Sequence, residues 1–320
     1  MRYVLEYTRE NRDIVSSEIN AIKETFRDFD IIYKSDFIYI IEGNYRDIEN
    51  SGFINYISQI IDEKPDYNEF NCKIPEGKFY VRASVPPGYN TEMVESTVGK
   101  ILGGRGRISF NNPDFIVRAV KADIWYLGIL VYSRNKKDFE SRRAPLRPFF
   151  SPVSLHPKYA RYLINTSYTR PGDTVLDPFC GTGGILIEAA LMGRRIIGND
   201  ALLNMVMGTK LNLKYFDLKY IEIYNLDIKD LNINKAVDAI VTDMPYGRSS
   251  SVNDYDIQNL YKTSFEKFNE LLKSHGKCSI IVNNLELLEY SKKFFKIINS
   301  VPVYQHRSLI RYFVIIEKIS

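Results

Sequence analysis

The chain has 320 residues, 45% of them apolar and 26% charged, enough apolar material for two or three packed domains, which excludes a disordered or fibrous protein. Its 43 basic and 39 acidic residues leave a net charge of only +4, so any affinity for a polyanion must come from local clustering and not from the field of the whole molecule. Cys72, Cys180 and Cys278 lack paired spacing, which argues against a disulfide framework or a structural zinc site.

The start, MRYVLEYTREN, is charged from Arg2 onward, and no apolar run nears the roughly 18 residues of a membrane-spanning helix. Neither signal peptide nor anchor is expected, and a cytoplasmic, thiol-reduced setting is. Tyr3 to Tyr7 reads as a strand, Ser16 to Phe29 as an amphipathic helix and Phe37 to Ile41 as a second strand, a small α+β segment over residues 1–60. Over residues 61–133 follow strands at Lys78 to Val85, Phe115 to Ala122 and Trp125 to Tyr132. Between the first two lie a helix, Thr91 to Leu102, and a glycine-rich segment from Gly103 to Arg107. Residues 134–150 read as a basic linker carrying Arg134, Lys136, Lys137, Arg142, Arg143 and Arg147, in which Pro145 and Pro148 resist regular structure.

In residues 151–320 the texture changes to strict alternation. Strands at Val175 to Leu176, Arg195 to Ile197, Ile221 to Leu226, Ala239 to Thr242 and Cys278 to Val282 alternate with helices at Gly184 to Met192, Leu202 to Tyr215, Ile257 to Ser274 and Glu286 to Phe294. Such succession implies a parallel, doubly wound sheet covered on both faces. Two further strand-like runs between Lys296 and Ile319 require a hairpin, hence one antiparallel strand at that edge. That ending separates the methyltransferase version of the doubly wound fold from the nicotinamide version.

Asp177-Pro-Phe-Cys-Gly-Thr-Gly-Gly184 runs off the first of these strands into a helix, where glycines let the backbone pass close to a ligand at the carboxyl end of the sheet. A lone G-x-G is as often an ordinary turn as a ligand loop. Asp200 ends the next strand-like run, placed to accept from both ribose hydroxyls of a nucleoside, and Asp227 ends the third, placed to accept from an adenine amino group. Asp177 chooses between cofactors. A carboxylate before the turn would repel a pyrophosphate but suits the cationic groups of S-adenosyl-L-methionine, and the third glycine of a dinucleotide fingerprint is replaced by Leu186.

The fourth strand ends in Asp243-Met-Pro-Tyr246. An exocyclic amine is a poor nucleophile because its lone pair is delocalised into the ring. A carboxylate (Asp243) and a backbone carbonyl (Pro245) can each accept one N–H and so localise that lone pair toward a methyl sulfonium, while Tyr246 stacks on the base. Alone, D-x-P-Y is compatible with a strand-end turn, since its residues are turn formers; after the fourth strand of this pattern it reads as a catalytic motif. No metal is expected, His156, His275 and His306 being scattered.

Together with Arg147-Pro-Phe-Phe-Ser-Pro152 and His156-Pro157, these motifs resemble the archaeal tRNA guanosine-10 N2-methyltransferases, relatives of the eukaryotic guanosine-10 enzyme. Asn112-Pro-Asp114 and Tyr126-Leu-Gly128 resemble the THUMP domain those enzymes carry. The resemblance implies a class I methyltransferase Rossmann-like α/β domain with one antiparallel strand, preceded by a ferredoxin-like segment (1–60) and THUMP (61–133) that bind the 3′ acceptor end of tRNA. It implies a cofactor set of Asp177, Phe179, Gly181, Gly183, Asp200, Ala201, Asp227 and Ile228, and catalysis by Asp243, Pro245 and Tyr246. Met244 stands where related adenine, guanosine-6 and ribosomal guanine enzymes usually have proline.

Phosphate contacts are expected from Lys100, Arg105 and Arg107, from Arg134, Lys136, Lys137, Arg142 and Arg143, and from Arg248 beside a flipped nucleotide. Solvated surface is the plain alternative for these charges. Some relatives use a small activating protein subunit. The readings left open are another tRNA or rRNA guanine such as tRNA guanosine 6, adenine N6 in DNA, and a non-catalytic RNA-binding protein that keeps the fold; Asp177 and the antiparallel ending disfavour a nicotinamide oxidoreductase.

Overall fold

The computed structural model describes residues 1–8, 11–35, 37–104, 106–152, 154–246, 254–306 and 309–319. The chain divides into one unit of Met1–Glu10, Arg27–Glu49 and Phe53–Arg134 and another of Asn11–Phe26, Asn50–Gly52 and Asn135–Ser320.

In the first unit, β1 (Arg2–Tyr7) runs toward helix α1 (Arg12–Phe26), which belongs to the second unit. Then come β2 (Phe29–Lys34), β3 (Ile38–Gly43), β4 (Ile54–Lys64), β5 (Lys78–Ser84), helix α2 (Thr91–Gly103), β6 (Arg107–Ile108), β7 (Phe115–Lys121) and β8 (Trp125–Ser133). They form one sheet in the order β2-β3-β1-β4-β8-β7-β5-β6. A boundary near residue 60 falls inside β4, which pairs with β1 on one side and β8 on the other, so the two expected N-terminal pieces share a sheet. The parallel pairs β5–β6 and β5–β7 need a crossover, and α2 supplies it. Val94, Val98 and Leu102, at helical spacing on α2, are buried with Phe79, Val81, Val117 and Leu127 of the sheet.

Three strands here were not expected: β2, β4 and the two-residue β6, which begins at the end of the glycine-rich segment. The helix expected to run to Phe29 stops at Phe26, because Arg27 takes a left-handed φ of 56°, and the chain re-emerges as β2. Strand β4 is hidden in the sequence because most of its residues are half-buried, so polar and apolar side chains do not alternate cleanly.

In the second unit, α1 is followed by α3 (Lys136–Ser141), α4 (Pro157–Asn165), β9 (Thr174–Asp177), α5 (Gly184–Leu191), β10 (Arg195–Asn199), α6 (Leu203–Tyr215), β11 (Glu222–Tyr224), β12 (Val237–Asp243), α7 (Asp254–Leu271), β13 (Leu272–Val282), β14 (Phe295–His306) and β15 (Leu309–Lys318). The sheet order is β11-β10-β9-β12-β13-β15-β14, with the first five strands parallel and β15 antiparallel to both its neighbours. The antiparallel strand is therefore inserted next to the edge rather than at it. Its run Phe313 to Ile316 is buried on both faces, as an interior strand requires, whereas β14 alternates Val301 and Val303 inward with Pro302 and Tyr304 outward. Pro302 has no N–H to donate to a ladder and so suits an edge.

Tyr261, Phe265 and Phe268 form the apolar stripe of α7 and bury it against Leu176, Ile240, Ile280 and Val314 of the sheet. Helix α1 joins this unit through Glu18, fully buried on its inner face. That carboxylate accepts from Ser51 Oγ (2.5 Å), the Gly52 amide (2.8 Å) and Asn165 Nδ2 (2.8 Å), which compensates its removal from water. Helix α3 lies where an irregular linker was read, and α4 where no element was assigned. Asn135 and His156 cap them by accepting from the Lys137 and Lys158 amides, and Pro157 occupies the first turn of α4, where no partner for its nitrogen is needed. The helix expected over Glu286 to Phe294 is instead a short 3₁₀ helix, Leu285–Ser291, whose single tight turns suffice to bury Leu287 and Leu288.

Candidate active site

Strands β10, β9 and β12 are parallel neighbours, so Asp200, just past β10, and Asp177 and Asp243, the last residues of β9 and β12, gather at one carboxyl edge of the sheet. Asp227 follows β11 and caps a 3₁₀ turn (Ile228–Asp230) by accepting from the Lys229 amide, with its side chain half exposed and Ile228 buried beneath it.

The glycine loop between β9 and α5 owes its shape to two left-handed residues, Gly181 (φ 50°) and Gly183 (φ 79°). A Cβ on Gly183 would lie 2.9 Å from Thr209 Cγ2, whereas one on Gly181 would meet nothing within 4 Å. Glycine is thus demanded at 183 by packing and at 181 by backbone conformation, and the space over Gly181 is left clear for a ligand. Phe179 is partly buried on the loop and Ala201 is exposed next to Asp200.

The loop is held from several sides. Asp200 accepts from the Gly181 amide through Oδ2 and from the Leu202 amide through Oδ1, both at 2.9 Å, so each oxygen keeps a second lone pair for a ligand hydroxyl. The fully buried Asn199 donates to the carbonyls of Pro178 (3.2 Å) and Leu226 (3.0 Å), joining the loops after β9, β10 and β11. Asn212 on α6 donates to the carbonyls of Phe149 and Thr182 (both 2.9 Å), which fastens the Arg147 to Pro152 segment against the glycine loop. Neither asparagine was singled out from the sequence. A polar residue at a strand end was a signal available for Asn199; nothing local marks Asn212.

Asp177 is buried, and its Oδ1 accepts from Thr242 Oγ1 (2.7 Å) and the Phe179 amide (3.2 Å). Burial pushes its carboxyl up to about 7, against those two hydrogen bonds. A cationic ligand at this position keeps the carboxylate ionised, so the loop fits the ammonium and sulfonium groups of S-adenosyl-L-methionine. Asp243, one residue beyond Thr242, is likewise pushed up to about 7 by burial, with Arg311 opposing. Its Oδ2 lies 3.4 Å from Arg311 Nη1, while Oδ1 has no partner. Tyr246 follows Pro245, and its buried hydroxyl also has none.

The basic residues separate into two kinds. Lys100 at the end of α2, Arg107 on β6, and Lys137 on α3 are exposed, as is Arg143, which pairs with Glu140 at 3.0 Å. Lys136 opens α3. Arg134 and Arg142 are turned inward. Arg134 donates to the Ile54 carbonyl (2.6 Å), and Arg142 pairs with the fully buried Glu188 (2.6 Å), which Arg161 also contacts at 2.9 Å. Both serve the fold, and sequence clustering does not distinguish such residues from solvated ones. Arg105 and Arg248 lie outside the described residues.

A parallel sheet with one inserted antiparallel strand and acids at its carboxyl edge defines a class I methyltransferase. The family model of the RMKL-like methyltransferase domain matches residues 145–298. The crystal structure of TrmN from Thermus thermophilus matches over all of both chains with a TM-score of 0.60 at 19% identity, a likeness of fold. Among curated proteins, the tRNA (guanine(10)-N2)-dimethyltransferase of Methanothermobacter thermautotrophicus is 36% identical over 234 residues, 72% of this chain and 70% of that one. The enzyme of the same description from Methanocaldococcus jannaschii is 31% identical over 335 residues, 99% of this chain and 83% of that one. The chain belongs to the tRNA (guanine(10)-N2)-methyltransferase family, and its cofactor is S-adenosyl-L-methionine.

Proposed function

We propose that this protein transfers methyl groups from S-adenosyl-L-methionine to the exocyclic N2 of guanosine 10 in tRNA, once or twice at the same nitrogen. The observation that carries the reading is the placement of Asp243 to Tyr246 at the end of β12, beside the glycine loop of β9, with Asp243 Oδ1 unpartnered. The cofactor supplies an electrophilic methyl group. Asp243 Oδ1 and the Pro245 carbonyl accept the two N–H groups of the amine, which draws its lone pair out of conjugation, and Tyr246 supports the base plane. As the N–C bond forms and the S–C bond breaks, the nitrogen loses a proton. A carboxylate whose burial has brought it to about 7 is matched to receive it.

Exposed Lys100, Arg107, Lys137 and Arg143 support phosphate contacts with the tRNA, and by position in the chain Lys136, Arg105 and Arg248 join them. In the cofactor site, Asp177, Gly181 and Gly183 frame the methionine end, Asp200 and Ala201 the ribose, and Asp227 and Ile228 the adenine, with Phe179 lining the loop. A small activating protein subunit would suit the exposed apolar stripe of α6, Leu203, Met207, Leu211 and Tyr215, which borders a groove of about 1000 Å³ lined also by Lys210, Lys214 and Tyr220. Among the described residues no helix is long and apolar enough to cross a membrane, and we place the protein in the cytoplasm with its substrate.

Incubation of unmodified tRNA with the protein and labelled cofactor, followed by nucleoside mapping, tests this. N2-methylguanosine and N2,N2-dimethylguanosine are expected at position 10. Label at guanosine 6, or only in rRNA or DNA, would overturn the assignment.

A further inference from the structure

The chemistry-bearing loop has a neighbour that no motif in the sequence announces. Arg311 lies on the inserted strand β15, in the register where Phe313 faces Ile281 of β13 and Ile281 in turn faces Asp243 of β12. Residues 311 and 313 point to the same side of a strand, so Arg311 leans toward Asp243 from two strands away, about 10 Å at ordinary strand spacing. Only a long side chain bridges that gap. Its Nη1 reaches Asp243 Oδ2 at 3.4 Å, and its guanidinium carbon stands 5.2 Å from the centroid of the Tyr246 ring. The side chain is only 14% exposed. It therefore touches two of the three residues assigned to methyl transfer at once.

Among the described residues four polar atoms at this spot are buried without a partner: Asp243 Oδ1, the Tyr246 and Tyr261 hydroxyls and Arg311 Nε. Buried polar groups are rarely left in that state unless a ligand completes them. The ion pair engages one carboxylate oxygen and leaves the other without a partner, which is the asymmetry a single acceptor for a substrate N–H requires.

We propose that Arg311 is the positioning residue of the methyl-transfer site, holding the Asp243 carboxylate by Oδ2 so that Oδ1 faces the substrate amine, and bracing the Tyr246 ring from behind. This rests on the function proposed above. It acts through its neighbours: the cation favours the ionised form of Asp243, and the planar guanidinium sets the ring's tilt as an ammonium cannot. Among the described residues, the other titratable groups facing Asp243 are Asp177 on β9, Tyr246 and Tyr261 on α7. None is cationic, and Asp177 is pushed up by Asp243 in turn. Arg311 alone among them opposes the effect of burial.

The test is the pH dependence of kcat for tRNA methylation by the full chain, with Arg311→Gln and Arg311→Lys compared with the parent protein. Arg311→Gln is expected to lower kcat about tenfold or more and to move its acid limb upward by about one pH unit, because Asp243 then protonates more readily, with KM for tRNA unchanged. Arg311→Lys keeps the limb in place but still lowers kcat, since an ammonium does not lie flat on Tyr246. In an Asp243→Asn background, which has no carboxylate to hold, Arg311→Gln adds much less than it does alone. An unmoved acid limb in a folded Arg311→Gln protein, or an equal loss in both backgrounds, overturns the proposal. If Arg311→Gln does not fold, Arg311→Lys decides: kcat equal to that of the parent overturns it. A parent protein that methylates no guanosine of tRNA sinks the functional reading instead, before any variant is compared.

Discussion

The loops after β9 and β12 both end strands of one sheet, yet they are finished in opposite ways. Around the glycine loop most polar groups are satisfied within the protein: Asp200 binds two amides, Asn199 and Asn212 tie neighbouring carbonyls together, and Thr209 Oγ1 donates to the Gly181 carbonyl at 2.7 Å, with Arg147 Nη1 and Nη2 beside Gly184 as the exceptions. Around Asp243, among the described residues, it leaves an acceptor, two hydroxyls and a donor unused. A cofactor site gains from a rigid, preformed frame, since little ordering then remains when the ligand binds. A reacting site must keep hydrogen-bonding capacity in reserve for a substrate whose demands change along the reaction.

If that contrast is right, substitutions in the two loops must fail differently. Asp243→Ala is expected to lower methyl transfer by about a thousandfold or more while tRNA and cofactor binding survive, as steady-state rates and equilibrium binding would show. Weakened binding in step with the lost rate would erase the distinction. In the parent enzyme, kcat falls as pH drops through about 7, because Asp243 is then protonated and Oδ1 is no longer a charged acceptor. A rate profile flat between pH 6 and 8 (roughly one unit to either side) would remove the carboxylate from the mechanism.

On the cofactor side, Asp177→Asn is expected to weaken S-adenosyl-L-methionine binding by about tenfold to a hundredfold by calorimetry, with a smaller effect on S-adenosyl-L-homocysteine, which lacks the sulfonium charge. Equal effects on both would place the contribution elsewhere. Asn199→Ala removes two buried donors to two different loops and should lower stability by about 2 kcal/mol, seen as a lower Tm that bound cofactor partly restores. The smallest change is expected on the solvent-exposed face of α6. Met207→Lys with Leu211→Lys, on the exposed stripe of α6, should leave both the methylation rate and the Tm of the isolated chain unchanged, as steady-state rates and thermal unfolding would show.

The two loops were also unequally legible. Asp177, Gly181, Gly183, Asp200 and Asp243 to Tyr246 each sit at a strand end within a short, ordered motif, so spacing alone brings them to one edge of a parallel sheet. Clustering of basic residues assigned Arg142 to RNA, because a row of arginines looks alike whether it faces solvent or a buried glutamate such as Glu188. Helix α1 shows a further limit. Its apolar stripe predicts a helix but not which sheet it covers, and that choice was made by Glu18 through partners at Ser51, Gly52 and Asn165.

By itself the sequence determined the alternation of strands and helices, the glycine turn, the acids that flank it and the family these define, since all are local patterns in which periodicity and backbone conformation decide. The tertiary structure alone decided the insertion of β15 beside β13, the allegiance of α1 and the meeting of Arg311 with Asp243, 68 residues apart in the chain. Such pairings depend on register between strands and on which buried charge finds a counterpart, and neither leaves a periodic trace in the order of the residues.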